Sequence, residues 1–309
     1  MKEYEIILDT DIGDDIDDAY ALALLMAENA KLLGVTTVYR NAVQRAKIAS
    51  RLIALWNRHI PVYAGENYPE KQPLFRFEKA DEGDVPNIPH YIPAEMENAK
   101  IENGGAVDFI LNTLRARPHE VTILAIGPFT NLAAAIKKDK DTFLLAREVA
   151  IMGGDYTQSV AEWNVLCDPE AAATLFSSGV KIRAVGVDVT QKCTFSPETL
   201  GYLRALKNPK NKLLLRMTEI WIAHNAEKGV PPTMHDPLTA EVLFHKNLVR
   251  FETGKYEVCL TGEKRGFTLK SESGKSESGA KIEYAADADV PSFMEILRQN
   301  LGREDKTDA

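Results

Sequence analysis

From Tyr4 to about Val187, short apolar runs alternate with amphipathic stretches, the pattern of βα units around a largely parallel sheet. The runs predict strands at Tyr4–Leu8, Leu32–Val38, Val121–Ile126, Glu148–Met152 and Lys181–Val187. Apolar residues at helical spacing between them predict helices at Asp18–Glu28, Ala42–Trp56, Gly105–Arg115, Thr130–Lys138 and Pro169–Ser177. Asp168-Pro169 has the residue types of an N-cap followed by a first-turn proline, and Asp236-Pro237 repeats them. Tyr68–Ile101 is proline-rich with little periodicity, so it reads as a surface excursion and, by its length, a candidate lid. A helical zone is expected from Pro197 to Phe244, strands joined by polar turns over Arg250–Tyr284, an exposed hairpin tip at Gly274–Gly279, and a closing helix at Pro291–Leu301. The expected fold is therefore α/β: an open, largely parallel, Rossmann-like sheet flanked by helices, with a C-terminal helical zone and a small β-hairpin region. Residues 1–309 are expected to form a single domain.

With 309 residues, 45% of them hydrophobic and 27% charged, the chain can bury a core without disulfides or a structural metal. The formal net charge of −8, with no Lys/Arg-rich tract, argues against a hold on nucleic acid polymers through their phosphates. Cys167, Cys193 and Cys259 are odd in number and widely spaced, which suits reduced thiols and a cytoplasmic setting. The N-terminal apolar run is only about five residues long before it meets aspartates, unlike a signal peptide. No apolar run nears the ~20 residues that span a bilayer, so no membrane partner is expected.

The strongest chemical signal is Asp9-Thr10-Asp11-Ile12-Gly13-Asp14-Asp15-Ile16-Asp17-Asp18, six carboxylates in ten residues directly after a buried strand. In an open α/β sheet the carboxyl ends of strands carry the ligand crevice. So many like charges there raise one another's pKa unless a cation neutralises them. Oxygen donors without a His/Cys cluster point to Ca²⁺ or Mg²⁺ rather than zinc. Gly13 supplies a residue that tolerates positive φ, and the spacing of acids and glycine does not fit an EF-hand loop.

This turn resembles the N-terminal signature of the inosine-uridine nucleoside hydrolases, in the variant with two extra residues between the glycine and the final Asp-Asp-Ala. The resemblance continues through Ile126-Gly127-Pro128-Phe129-Thr130-Asn131, Met152-Gly153-Gly154, Ala161-Glu162-Trp163-Asn164 with Asp168-Pro169-Glu170, Gly186-Val187-Asp188, and His235-Asp236-Pro237. It implies hydrolysis of the N-glycosidic bond of ribonucleosides by a Ca²⁺-oriented water. The implied calcium ligands are Asp11, Asp18, the main-chain carbonyl of Ile126 and the carboxylate of Asp236. Asp17, Asn41, Glu162 and Asn164 match the ribose-binding positions, and a homodimer or homotetramer is expected.

Asp11 is the candidate general base and His235, with an unperturbed pKa near 6.5, the candidate acid for the leaving base. Strand-like alternation around Trp163 would point Glu162 and Asn164 to one side. Asp168 reads as an N-cap, and Met152 and Trp163 as core or pocket wall. The chain departs from the family pattern at Gly83–His90, at Arg40, and in the short loop between Gly154 and Glu162. These changes fall on the base and 5′ sides, so the reaction class is better defined than the substrate. Two other readings fit part of the pattern. One is a Mg²⁺ phosphohydrolase with Asp9 as nucleophile; the other is a non-catalytic calcium-dependent binder of nucleosides or sugars.

Overall fold

The computed structural model describes residues 4–28, 30–69, 71, 88–158, 160–271 and 279–303. Its nine strands are β1 (Glu5–Thr10), β2 (Lys31–Thr37), β3 (Val62–Ala64), β4 (Val121–Ala125), β5 (Glu148–Met152), β6 (Ile182–Val185), β7 (Val249–Val258), β8 (Thr268–Lys270) and β9 (Ala280–Ala288). The first seven helices are α1 (Asp17–Ala27), α2 (Ala42–Leu55), α3 (Pro93–Met96), α4 (Ala106–Ala116), α5 (Thr130–Lys138), α6 (Lys140–Phe143) and α7 (Trp163–Cys167). They are followed by α8 (Pro169–Phe176), α9 (Val187–Thr190), α10 (Pro197–Ala205), α11 (Pro209–His224), α12 (His235–Glu241) and α13 (Val290–Gly302).

The strands form one sheet in the order β3-β2-β1-β4-β5-β6-β9-β7-β8. It is parallel from β3 to β9, and β7 pairs antiparallel with both β9 and β8. β1, β4 and β5 are buried along their whole length, because helices cover both faces; that is why they read as continuous apolar runs. Alternate residues feed two cores. Ile6, Leu8 and Leu124 pack with α1, α2, α11 and α12, while Ile7, Ile123 and Ala125 pack with α4, α5 and α8.

The strand order reverses at β1, whose neighbours are β2 and β4. A crevice therefore opens at the carboxyl ends of β1 and β4, the place where ligands bind in such sheets. The aspartate turn follows β1 and Ile126-Gly127 follows β4.

The expected C-terminal strands are β7, β8 and β9, with β7 antiparallel to both others, and β9 lies parallel beside β6, so they extend the main sheet. The tip expected at Gly274–Gly279 lies, except for Gly279, outside the described residues, as do residues 72–87 of the expected lid. The described end of that excursion is not a surface flap: Ile88, Ile92 and Met96 are buried in the core beside α2. Among the described residues no helix is long and apolar enough to cross a membrane, and all three cysteines are free.

Candidate active site

The aspartate turn is held from behind by Arg45, which projects from the buried face of α2 and is fully buried. Its Nη1 donates to the carbonyls of Asp11 and Ile12, its Nη2 donates to Asp14 Oδ2 at 2.7 Å, and its Nε donates to the Tyr39 carbonyl at 2.8 Å. One guanidinium thus ties the turn after β1 to the turn after β2. Sequence reasoning missed this residue, although a signal existed: Arg45 sits three positions after Ala42 and four before Ala49, on the apolar stripe of its helix. Gly13 makes its bend at φ +124°, where a Cβ would stand 2.3 Å from Ile88 Cγ2. Gly127 clears space for Asp11: a Cβ there would lie 2.8 Å from Asp11 Oδ1.

The turn delivers its carboxylates to different places. Asp9 is fully buried behind the cleft, accepting from Thr36 Oγ1 at 2.5 Å and Asn131 Nδ2 at 2.7 Å. It is not among the cleft-lining residues, so it offers no nucleophile to a substrate there. Asp17 and Asp18 open α1 and meet Asp236 in the first turn of α12, with one oxygen of each within 4.8 Å of the others. Thr10 Oγ1 donates to Asp18 Oδ1, and the Asp236 amide donates to Asp17 Oδ2 at 3.1 Å. Asp236 lies one residue inside its helix rather than at the N-cap, which is Met234, so the Asp-Pro pair here does not repeat the capping seen at Asp168. Asp168 does cap α8, accepting from the Ala171 amide at 3.1 Å.

Burial and their mutual repulsion push Asp17, Asp18 and Asp236 well above the usual carboxylate range. Burial pushes Asp11 up to about 7, with the Arg45 charge pulling the other way. A divalent cation would relieve all four. Hard oxygen donors from two chain segments, with the Ile126 carbonyl beside them in the cleft lining, fit such an ion.

Glu162 and Asn164 are brought to the cleft, but not by a strand. Glu162 is the N-cap of α7: its Oε1 accepts from the Asn164 amide at 2.8 Å, and its Oε2 accepts from Gly154 and Val165 at 2.9 and 3.1 Å. Burial, opposed by these amides, leaves its carboxyl at about 6. Asn164 Nδ2 donates to the carbonyls of Ile126 and Met152, each at 3.0 Å, bridging the ends of β4 and β5. Trp163 between them is 47% exposed and forms cleft wall, not core.

Asn41 is not brought in. It caps α2, accepting from the Gln44 amide at 3.1 Å, and Arg40 lines the cleft instead. Tyr39 and Arg40 both have positive φ, 72° and 56°, a turn that a small residue would enter without strain. Asp188 is buried in α9 and accepts from Thr157 Oγ1 at 2.8 Å, outside the lining.

His235 opens α12 and lines the cleft, with Nδ1 2.7 Å from Thr190 Oγ1. Burial pulls its pKa down to about 4, so the ring is neutral at pH 7. Burial thus works against the protonated ring that a leaving-group acid would offer. His90, the base-side histidine of the sequence, is fully buried and also pulled to about 4 by burial.

The cleft encloses about 570 Å³, and Trp221 and His224 of α11 complete its wall. Seven carboxylates line it, from Asp11, Asp14, Asp15, Asp17, Asp18, Glu162 and Asp236, against the cations Arg40 and Lys228. This is a negative, half-apolar cavity with aromatic walls. It suits a small polyhydroxylated ligand that becomes cationic during reaction.

Comparison with known proteins agrees with this geometry. The family model of the inosine-uridine preferring nucleoside hydrolases matches residues 6–295. A probable uridine nucleosidase 1 of Oryza sativa subsp. japonica is 30% identical over 319 residues, covering 96% of each chain. The non-specific ribonucleoside hydrolase RihC of Escherichia fergusonii is 30% identical over 308 residues, covering 96% of this chain and 98% of its own. Among solved structures, the plant nucleoside hydrolase PpNRh1 superposes with a TM-score of 0.85 at 25% identity, over 97% of this chain and 99% of its own. With a matching family model over nearly its whole length, and Asp17, Asp18 and Asp236 gathered in one cleft, the chain belongs to the inosine-uridine preferring nucleoside hydrolases and is an N-glycosyl hydrolase.

Proposed function

We propose that this cleft hydrolyses ribonucleosides to free base and ribose with one Ca²⁺ held by Asp11, Asp18, the Ile126 carbonyl and Asp236. The observation that carries the reading is the meeting of Asp17 and Asp18 with Asp236, across 219 positions of sequence, as one buried carboxylate cluster at the switch point of the sheet. Bound there, such an ion would neutralise the cluster and would supply a water of lowered pKa.

The chain's own groups do the rest. Asp11 takes the proton of the attacking water, as a carboxylate that lines the cleft beside the proposed ion position. Asp17, Glu162 and Asn164 bind the ribose hydroxyls; Glu162 and Asn164 are already fixed by backbone bonds, so ordering them costs little on binding. Asn41 contributes by capping the helix that carries Arg45.

Breaking the glycosidic bond puts positive charge on the ribose and negative charge on the base. The lining carboxylates stabilise the former. For the latter, with the Thr190 hydroxyl taken as donor across its 2.7 Å contact to His235 Nδ1, the ring proton lies on Nε2. His235 thereby acts as a neutral donor to the departing base, which stacks against Trp163 or Trp221. The test is a panel of purine and pyrimidine ribonucleosides assayed for released ribose. Release from at least one is expected, and folded protein that turns over none would overturn the reading.

A further inference from the structure

The helix pair that builds the cleft carries a second cluster of ligating groups at its other end. α1 starts with Asp17 and Asp18 and closes at Glu28; α12 starts with His235 and Asp236 and ends at Glu241, with His245 one turn on. One ligating atom each of Glu28, Glu241 and His245 lies within 4.8 Å of the others. At 1.5 Å per residue, this cluster is roughly 15 Å along α1 from the catalytic acids.

Its geometry is specific. His245 Nε2 stands 3.3 Å from Glu241 Oε2 and 3.5 Å from Glu28 Oε1. Ligands about 2.0–2.1 Å from a tetrahedral zinc are about 3.4 Å apart, which matches both spacings. Asn300 of α13 holds the two carboxylates in place, its Nδ2 donating to Glu28 Oε1 at 2.8 Å and Glu241 Oε1 at 3.1 Å.

That leaves Glu241 Oε2 facing the imidazole, on a residue only 1% exposed, with no hydrogen-bond partner among the described residues. A buried polar atom without a partner is costly, and it is the open valence that a cation fills. Besides His245 itself, Arg303 Nη1 reaches Glu28 Oε1 at 3.8 Å, and no ion pair of Glu241 with an Arg or Lys is found among the described residues. Glu28 and His245 also line a solvent-connected cavity of about 1200 Å³, so an ion has a way in.

We infer that Glu28, Glu241 and His245 form a second metal site, for a borderline dication such as Zn²⁺, that clamps α1, α12 and the residues after α12 at the end remote from the cleft. An imidazole with two carboxylates selects such an ion over Ca²⁺, whose sites are all oxygen. Water completes the coordination.

The experiment is equilibrium dialysis of metal-stripped protein against Zn²⁺ in the presence of saturating Ca²⁺, with bound zinc counted by elemental analysis and thermal unfolding followed in parallel. One zinc per chain and a zinc-dependent rise in Tm are expected for the wild type and for Asp18→Asn. His245→Ala and the buried isostere Glu241→Gln should each lose both, while His245→Ala keeps its hydrolase activity. Asn300→Ala should weaken zinc binding by about 10–100-fold, as the loss of an outer partner does. Zinc stoichiometry and Tm response unchanged in His245→Ala, or no zinc bound by folded wild-type protein, would overturn the assignment.

Discussion

Asp11, Asp17, Asp18 and Asp236 are each no more than 7% exposed, and the chain around them is pinned by Arg45, Thr10 and the Asp236 amide. Across the cleft, Trp163 is about half exposed, His224 is exposed, and Arg40 sits in a left-handed turn. The acid side is over-determined: moving one carboxylate disturbs several buried bonds and the neighbouring charges. The aromatic side is assembled from α7, α11 and the turn after β2, and Trp163 and His224 there are far more exposed. In the proposed reading the acid side runs the reaction and the more exposed aromatic side meets the base.

The ribose hydroxyls belong to the acid side in this account, so the sharpest break of the comparison is to remove one. A 2′-deoxynucleoside should have a kcat/KM lower by on the order of 10⁴ than its ribonucleoside, because buried polar groups are left without partners. Equal values would detach the ribose from Asp17 and Glu162.

His235 sits at the junction of the two sides, one residue before Asp236. His235→Ala should slow a natural nucleoside by roughly 10²–10⁴ and leave a p-nitrophenyl riboside, whose leaving group needs no proton, nearly untouched. Equal losses on both would move His235 to the acid side as a ribose or packing residue. A kcat profile with a basic limb near pH 6.5 would contradict the neutral-donor role, which rests on a ring pulled down to about 4.

The legibility of the site in the sequence follows the same division. Strand β1 and its aspartates were readable because both signals are local: a buried run, then a run of charge. The Asp168-Pro169 helix start was readable for the same reason. Glu162 was misread as a strand residue because Glu-Trp-Asn alternates polarity, while the signal of a cap, a carboxylate two and three positions before free helical amides, is equally short. β3 escaped notice at three residues, and the pairing of β9 with β6 depends on contacts that no local pattern encodes. Asp236 could be assigned to the site only through the family resemblance, since nothing in its spacing from Asp18 brings α12 against α1. The charge of Asp9 was visible, but not its retreat behind Thr36 and Asn131.

A smaller effect should appear in stability. Asp9 and Asp11 sit at about 7 in the folded chain, and Asp17, Asp18 and Asp236 are also raised well above their usual range, against about 3.9 unfolded. Between about pH 4 and 7 the folded state therefore holds more of these protons than the unfolded state, and their contribution to stability falls as pH rises. His90 and His235, pulled down to about 4, act in the opposite sense between about pH 4 and 6.5, while Asp15 and Glu162, raised to about 6, and Glu241, raised to about 8, act with the five. The Tm of metal-stripped protein should fall across it, and Ca²⁺ should flatten the fall. A Tm that rises with pH without metal would show that the acid side is not strained by its own charge.

The most direct test of the whole account is the initial rate of ribose release from one good ribonucleoside by the same preparation before metal stripping, after it, and after Ca²⁺ is added back. The proposed ligand set of Asp11, Asp18 and Asp236 predicts that stripping abolishes the rate and that Ca²⁺ restores it, with no restoration in Asp18→Asn. An undiminished rate in protein shown by elemental analysis to hold no divalent metal would contradict it.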